Sequence, residues 1–297
     1  MTELGYLLTA MVTPFKADDL SVDYDRTAQL ALKLVDERSD GLVVAGTTGE
    51  SPTLSKQEKL DLFKVVRDAV GDRATVVGGT GGNDTASSIE LTRAATELGV
   101  LDAVMLVGPY YNKPSQEGMY QHFKACAQAT DLPVVLYNVP GRTGKNIEAS
   151  TVLRLAHELP NVAAVKEASG DFVQISRICQ GMPDGFRVYS GSDEFTLPML
   201  SVGCWGVISV ISHLTGPDVA DMIAAFHAKD TQKAWMLHHR LLDMCDACFQ
   251  ASGNPACVKR GLEICGFDTG GVRLPVVPAS EKDTAVLRKA CEDLGLV

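Results

Sequence analysis

Val134-Val135-Leu136-Tyr137-Asn138-Val139-Pro140, then a helical stretch over Glu148–Leu159, then Val162-Ala163-Ala164-Val165-Lys166-Glu167-Ala168: this passage decides the fold class. Two short apolar runs bounded by turn residues read as buried strands, and an amphipathic segment between them reads as a crossover helix. The unit repeats. Apolar runs recur at Tyr6–Phe15, Gly41–Gly46, Ala74–Thr80, Ala103–Tyr110, Val134–Pro140, Val162–Ala168, Phe186–Ser192 and Trp205–Ile211. Helical periodicity fills the gaps, as at Ser55–Val70, Asp84–Leu98 and Ser115–Thr130, several opened by Ser, Thr or Asp as N-cap. Strict alternation implies parallel strands with right-handed crossovers, and eight units favour an α/β (β/α)8 TIM barrel over an open sheet. No GxGxxG follows the first strand, so a dinucleotide-binding sheet is not supported. Beyond Ile211 only helical segments remain, at Pro217–Lys229, Thr231–Gln250, Ala256–Cys265 and Ser280–Leu294. The expected division is a catalytic barrel over 1–225 and a C-terminal helical extension over 226–297.

Lys166 is the chemically pointed residue of that passage, because a single cation closes an apolar strand. An amine acting as a nucleophile near neutrality must fall from a free pKa of ~10.4 to roughly 7, which asks ~4–5 kcal/mol of desolvation or cationic neighbours. An apolar strand end supplies much of that. A lysine snorkelling into water fits the segment equally well.

Composition narrows the classes. The 297 residues carry 45% hydrophobic and 22% charged side chains, enough apolar content for a full core. A net charge of −10 with no Lys/Arg cluster argues against nucleic acid as partner. No apolar run approaches the ~20 residues of a membrane span, and the stretch Leu4–Val12 lacks a preceding basic residue and stops at Pro14, so no secretory signal is read and the cytosol is expected. The eight cysteines scatter through apolar segments and are expected as reduced, buried thiols.

In a barrel the active site gathers at the C-terminal strand ends. Strand two ends in Gly46-Thr47-Thr48-Gly49-Glu50, where two hydroxyls and backbone N–H groups suit a carboxylate or a proton path; a tight turn into a capped helix fits as well. Strand four ends in Tyr110-Tyr111, and strand five in Tyr137 followed by Arg142 on a Pro/Gly loop. A phenol beside an amine on the next strand suits general acid–base work, and an arginine suits carboxylate recognition. No His lies at the ends of strands two to seven, which argues against a metal-dependent aldolase. Cys245 and Cys248 sit at helical spacing in an apolar segment and read as core.

Taken together, GTTGE at 46–50, PYYNKPSQEG at 109–118, YNVPGRTG at 137–144, VKEASGD at 165–171, GSD at 191–193 and GVISV at 206–210 make the chain resemble the dihydrodipicolinate synthase family, within the N-acetylneuraminate lyase superfamily. The likeness runs from the first strand to the helical tail. It implies a lyase that condenses pyruvate with L-aspartate 4-semialdehyde, the 4-hydroxy-tetrahydrodipicolinate synthase reaction of lysine and diaminopimelate biosynthesis. Lys166 would carry the Schiff base, Tyr137 with Thr47 and the neighbouring subunit's Tyr111 would relay protons, and Thr48 would take the pyruvate carboxylate. Arg142 would meet the semialdehyde carboxylate, with Gly191 and the carbonyl of Ile208 lining the pocket. No external cofactor and no metal is implied, and a homotetramer built as a dimer of dimers is. Another class I pyruvate-dependent aldolase, for example one acting on a 2-keto-3-deoxy sugar acid, stays open as the alternative; Arg142 argues for the synthase. A barrel that merely binds a keto acid would need an unreactive Lys166.

One departure concerns regulation. The resemblance implies an effector pocket at Ser51, Lys56, Asn83 and Tyr110, but lysine-inhibited members carry His residues where this chain has Lys56 and Lys59, and an acid where it has Ser87. Two cations facing a cationic effector would repel it by ~1 kcal/mol each, so weak or absent lysine inhibition is expected.

Overall fold

The computed structural model describes residues 4–297, so the first three residues of the expected 1–225 segment lie outside it. Eight parallel strands close into a barrel in sequence order: β1 Leu7–Ala10, β2 Gly41–Val44, β3 Thr75–Gly79, β4 Ala103–Val107, β5 Val134–Asn138, β6 Val162–Glu167, β7 Arg187–Ser190 and β8 Gly206–Ser209. β1 pairs with both β2 and β8, which completes the ring and removes sheet edges. Each strand sits inside the apolar run that predicts it. The runs are longer because each continues into the polar loop at the barrel mouth.

The helices are α1 Tyr24–Asp36, α2 Lys56–Val70, α3 Thr85–Glu97, α4 Gln116–Ala127, the short α5 Pro140–Thr143, α6 Ala149–Glu158, α7 Phe172–Gly181, α8 Thr196–Ser201, α9 Ser212–His227, α10 Thr231–Cys248, α11 Ala256–Ile264 and α12 Glu281–Leu294. Their starts are chemically marked. Asp23, Asp84, Ser115, Asp171, Asp230 and Ser280 cap with a side-chain oxygen, and Ser55 with Glu58 forms a full capping box. Pro217 is expected to open the helix after β8, but α9 begins at Ser212. Thr215 breaks its dihedrals (φ −130°, ψ 28°) just ahead of the proline, so Pro217 starts a second segment behind a kink.

Period-two alternation splits the strands into two cores. One set, including Leu8, Val43, Val77, Met105, Val135, Ala164 and Ile208, fills the barrel interior, and the other, including Leu7, Leu42, Val76, Val104, Leu136, Val165 and Val207, packs beneath the helices. That alternation also separates neighbours in sequence. Lys166 follows Ala164 toward the barrel axis, whereas Glu167 faces the helical layer, where Asn138 Nδ2 (3.1 and 3.0 Å), Gln174 Nε2 (3.0 Å) and the Ser169 N–H (2.7 Å) surround its carboxylate.

Candidate active site

The pairing register places Tyr137 opposite Lys166 and Lys166 opposite Tyr189, so three strand-end side chains occupy one inner layer. Lys166 is 4% exposed, and its Nζ lies 4.6 Å from the centroid of the Tyr137 ring. Burial pushes its pKa down to about 8; the Asp193 carboxylate opposes that shift, and the Arg142 guanidinium adds to it. Among the described residues it forms no ion pair. Burial raises the Tyr137 phenol, against the positive charge of Arg142 and a hydrogen bond with Thr47. Asp193 is itself buried. Its Oδ2 accepts the Val210 (2.8 Å) and Ile211 (3.2 Å) N–H groups, while burial holds its pKa above the usual carboxylate range.

A cavity of about 230 Å³ opens above Lys166 and is lined by Thr48, Arg142, Gly191 and Asn254, among others. Beside it a cavity of about 380 Å³ takes in Ser51, Lys59 and Tyr110, and Thr47, Tyr137, Val139 and Arg142 line both. Gly191 is needed for close approach: a Cβ there would stand 2.7 Å from Ala168 Cβ and 3.1 Å from Lys166 Cγ. Two threonines and an arginine around a buried amine form a site that can fix a carboxylate while the amine meets the adjacent carbonyl.

Not every expected residue converges. The Ile208 side chain fills the interior of the barrel, so the role expected of this residue rests on its carbonyl alone, and Val210 is the side chain from this segment that lines the cavity. Tyr111 is 89% exposed with φ +72°, standing off the rim, so the chain's own fold does not bring it to Thr47. Ser51 and Tyr110 line the larger cavity, but Lys56 turns to α3 and pairs with Glu90 at 2.5 Å, and the Asn83 carbonyl accepts from Asn112 Nδ2. Lys59, not Lys56, is the lysine that faces the cavity, alongside Arg142, and its amine is pulled down by burial. His213 is committed to structure: Nδ1 donates to the Val210 carbonyl at 2.7 Å, Nε2 accepts the Val12 N–H at 3.1 Å, and burial lowers its pKa to about 4.

The eight cysteines are free thiols, with Cys245 and Cys248 buried in α10. Among the described residues no group of three or more His, Cys, Asp and Glu could hold a metal ion, and no helix is long and apolar enough to cross a membrane. The structure adds Asp193, Glu194, Phe249 and Asn254 around the site. Asp193 stands inside the quoted GSD motif, so that signal was present. Asn254 belongs to the helical tail, far from every strand end in sequence.

The pattern of the Dihydrodipicolinate synthetase family matches residues 3–294 of this sequence. The chain belongs to that family. A 4-hydroxy-tetrahydrodipicolinate synthase from Moorella thermoacetica is 54% identical over 293 residues, 99% of each chain, and one from Heliobacterium modesticaldum is 53% identical over 294 residues, 99% of this chain and 97% of the relative. Among solved structures, dihydrodipicolinate synthase from Cyanidioschyzon merolae, crystallised with lysine bound, superposes with a TM-score of 0.97 at 43% identity, covering 99% of each chain. The Bacillus anthracis dihydrodipicolinate synthase superposes at 0.95 with 48% identity, over 98% of this chain and 99% of that one. This member of the Dihydrodipicolinate synthetase family thus matches its relatives from β1 through α12.

Proposed function

We propose that this chain is a Schiff-base lyase with 4-hydroxy-tetrahydrodipicolinate synthase activity, in which Lys166 attacks the ketone of pyruvate. The observation that carries the reading is the register that sets a buried amine, with a pKa of about 8, beside a buried phenol under a cavity lined by Thr48 and Arg142. At pH 7 an amine of that pKa is neutral in about one molecule in ten, against fewer than about one in a thousand for an ordinary lysine. Attack on the carbonyl carbon gives a carbinolamine; loss of water leaves a protonated imine. Removal of a methyl proton then produces an enamine whose carbon adds to the aldehyde of L-aspartate 4-semialdehyde. The semialdehyde's amine displaces Lys166 from the imine carbon, closing the ring and regenerating the enzyme.

Tyr137, hydrogen-bonded to Thr47, is the group positioned to pass protons in these steps, and its raised pKa keeps it a proton donor. Thr48 takes the pyruvate carboxylate and Arg142 the semialdehyde carboxylate, with Gly191 leaving room beside Lys166. Tyr111, exposed at the rim, serves the relay of a neighbouring subunit, which calls for a dimer at least and accords with a homotetramer in the cytosol. Lys59 rather than Lys56 disfavours lysine in the larger cavity, because the Lys56 charge is already offset by Glu90. The test is intact-mass spectrometry after borohydride reduction with pyruvate, with peptide mapping. A pyruvate-sized addition on Lys166 is expected; no adduct from folded protein contradicts the reading.

A further inference from the structure

The segment carrying both threonines is held from outside the barrel. Ala45 (φ +55°) and Glu50 (φ +57°) bracket it in the left-handed region, which costs a non-glycine residue ~1–2 kcal/mol each and persists where the surroundings enforce it. The enforcement at Glu50 comes from the C-terminal extension, from α11 and the loop that follows it. Its Oε1 lies 2.7 Å from Lys259 Nζ of α11, with the side chains 1% and 4% exposed, and its Oε2 accepts the Arg273 N–H at 2.9 Å. The Arg273 guanidinium reaches back to the Thr53 carbonyl (2.8 Å) and Glu58. Two residues before Glu50, the buried Thr48 Oγ1 accepts from Asn254 Nδ2 at 2.8 Å across 206 positions of sequence.

A threonine hydroxyl has one proton to give and two lone pairs to offer. With a lone pair occupied by the Asn254 amide, and no other bond to the Thr48 hydroxyl among the described residues, its proton is free for the cavity that both residues line with Lys166. We propose that Asn254, brought against Thr48 by the turn between α10 and α11, is a positioning residue for the condensation: it makes the Thr48 hydroxyl a committed donor toward the keto-acid carboxylate, while Lys259 and Arg273 lock the loop that carries it. This rests on the Schiff-base reading above. It gives the C-terminal extension a share in substrate binding.

The test compares Asn254→Asp with Asn254→Ala, reading the pyruvate concentration that half-saturates borohydride trapping on Lys166, as a ratio to the unsubstituted protein at each pH. The aspartate is nearly isosteric but accepts where the amide donates, so it should turn the Thr48 proton inward and raise the ratio about 30-fold at pH 8, the scale of a hydrogen bond to a charged group. The ratio should recover as pH falls and the introduced carboxyl becomes a donor. The alanine frees the hydroxyl to rotate, so a rise of about fivefold, flat with pH, is expected. A packing role alone predicts the reverse order, alanine worse than aspartate at every pH; that result, or wild-type ratios in both variants with only Tm lowered, overturns the proposal. Should Asn254→Asp fail to fold, Asn254→Leu fills the same space without a donor and should match or exceed the alanine effect, and an unchanged ratio there also overturns it. If the unsubstituted protein traps no pyruvate, the Schiff-base reading fails first and takes this inference with it.

Discussion

Lys166 at the end of β6 and Lys259 on α11 are alike in the properties usually used to pick out a reactive lysine. Each is 4% exposed, each is pushed down to about 8 with burial as the main cause, and each lies over an aromatic ring, at 4.6 Å from Tyr137 and 4.2 Å from Phe15. They differ in what their protons already do. Lys259 is paired with Glu50 at 2.7 Å and donates to the Gly271 carbonyl at 2.8 Å, whereas Lys166 forms neither kind of bond among the described residues and faces the cavity shared by Thr48 and Arg142. A lowered pKa therefore marks burial, and it is the uncommitted amine, facing Thr48 and Arg142, that we propose as the nucleophile.

The largest effects are expected when the two lysines are exchanged for inert side chains. Lys166→Ala should remove the pyruvate adduct and lower kcat/KM by about 10⁴-fold or more while the fold survives. Lys259→Met should do the opposite, keeping the adduct on Lys166 but leaving Glu50 buried and unpaired, at a cost of ~3–5 kcal/mol in chemical denaturation. Adding Glu50→Gln should recover part of that loss. An adduct on Lys259, or equal catalytic losses, would erase the distinction.

A smaller effect is expected at Tyr137→Phe, which keeps the ring beside Lys166 but removes the hydroxyl proposed to carry protons. kcat should fall by about 10²–10³-fold, with trapping of pyruvate at saturation largely retained. The smallest concerns the second cavity. Lysine titrations of initial rate should show weak inhibition, and Lys59→Gln should strengthen it by about fivefold, since it removes one cation from the lining. Strong inhibition of the unsubstituted enzyme at submillimolar lysine would contradict the role given to Lys59.

The barrel was legible because its strands are buried on both faces and so read as continuous Val, Ile and Leu runs, and because strand ends carry the chemistry. Lys166, Tyr137, Thr47, Thr48 and Arg142 are all strand-end or next-loop residues, and the structure collects them around one opening. Contacts between distant segments were not legible. Nothing in the local sequence says that Lys56 finds Glu90, that Thr215 kinks α9 ahead of Pro217, or that Asn254 reaches Thr48. Tyr111, 89% exposed in the single chain, marks another boundary, because the relay proposed for it needs a second copy that the sequence of one chain does not display.

The reactivity proposed for Lys166 is read most directly from the initial rate of borohydride-trapped imine formation with pyruvate, followed against pH. Imine formation needs the neutral amine, so a folded-state pKa lowered from 10.5 to about 8 predicts a rate that climbs as pH rises through about 8 and then levels off. Asp193→Asn should move the inflection lower, because it removes the carboxylate that favours the charged amine. A rate still climbing toward pH 10, or an adduct that maps to any residue other than Lys166, would contradict the account.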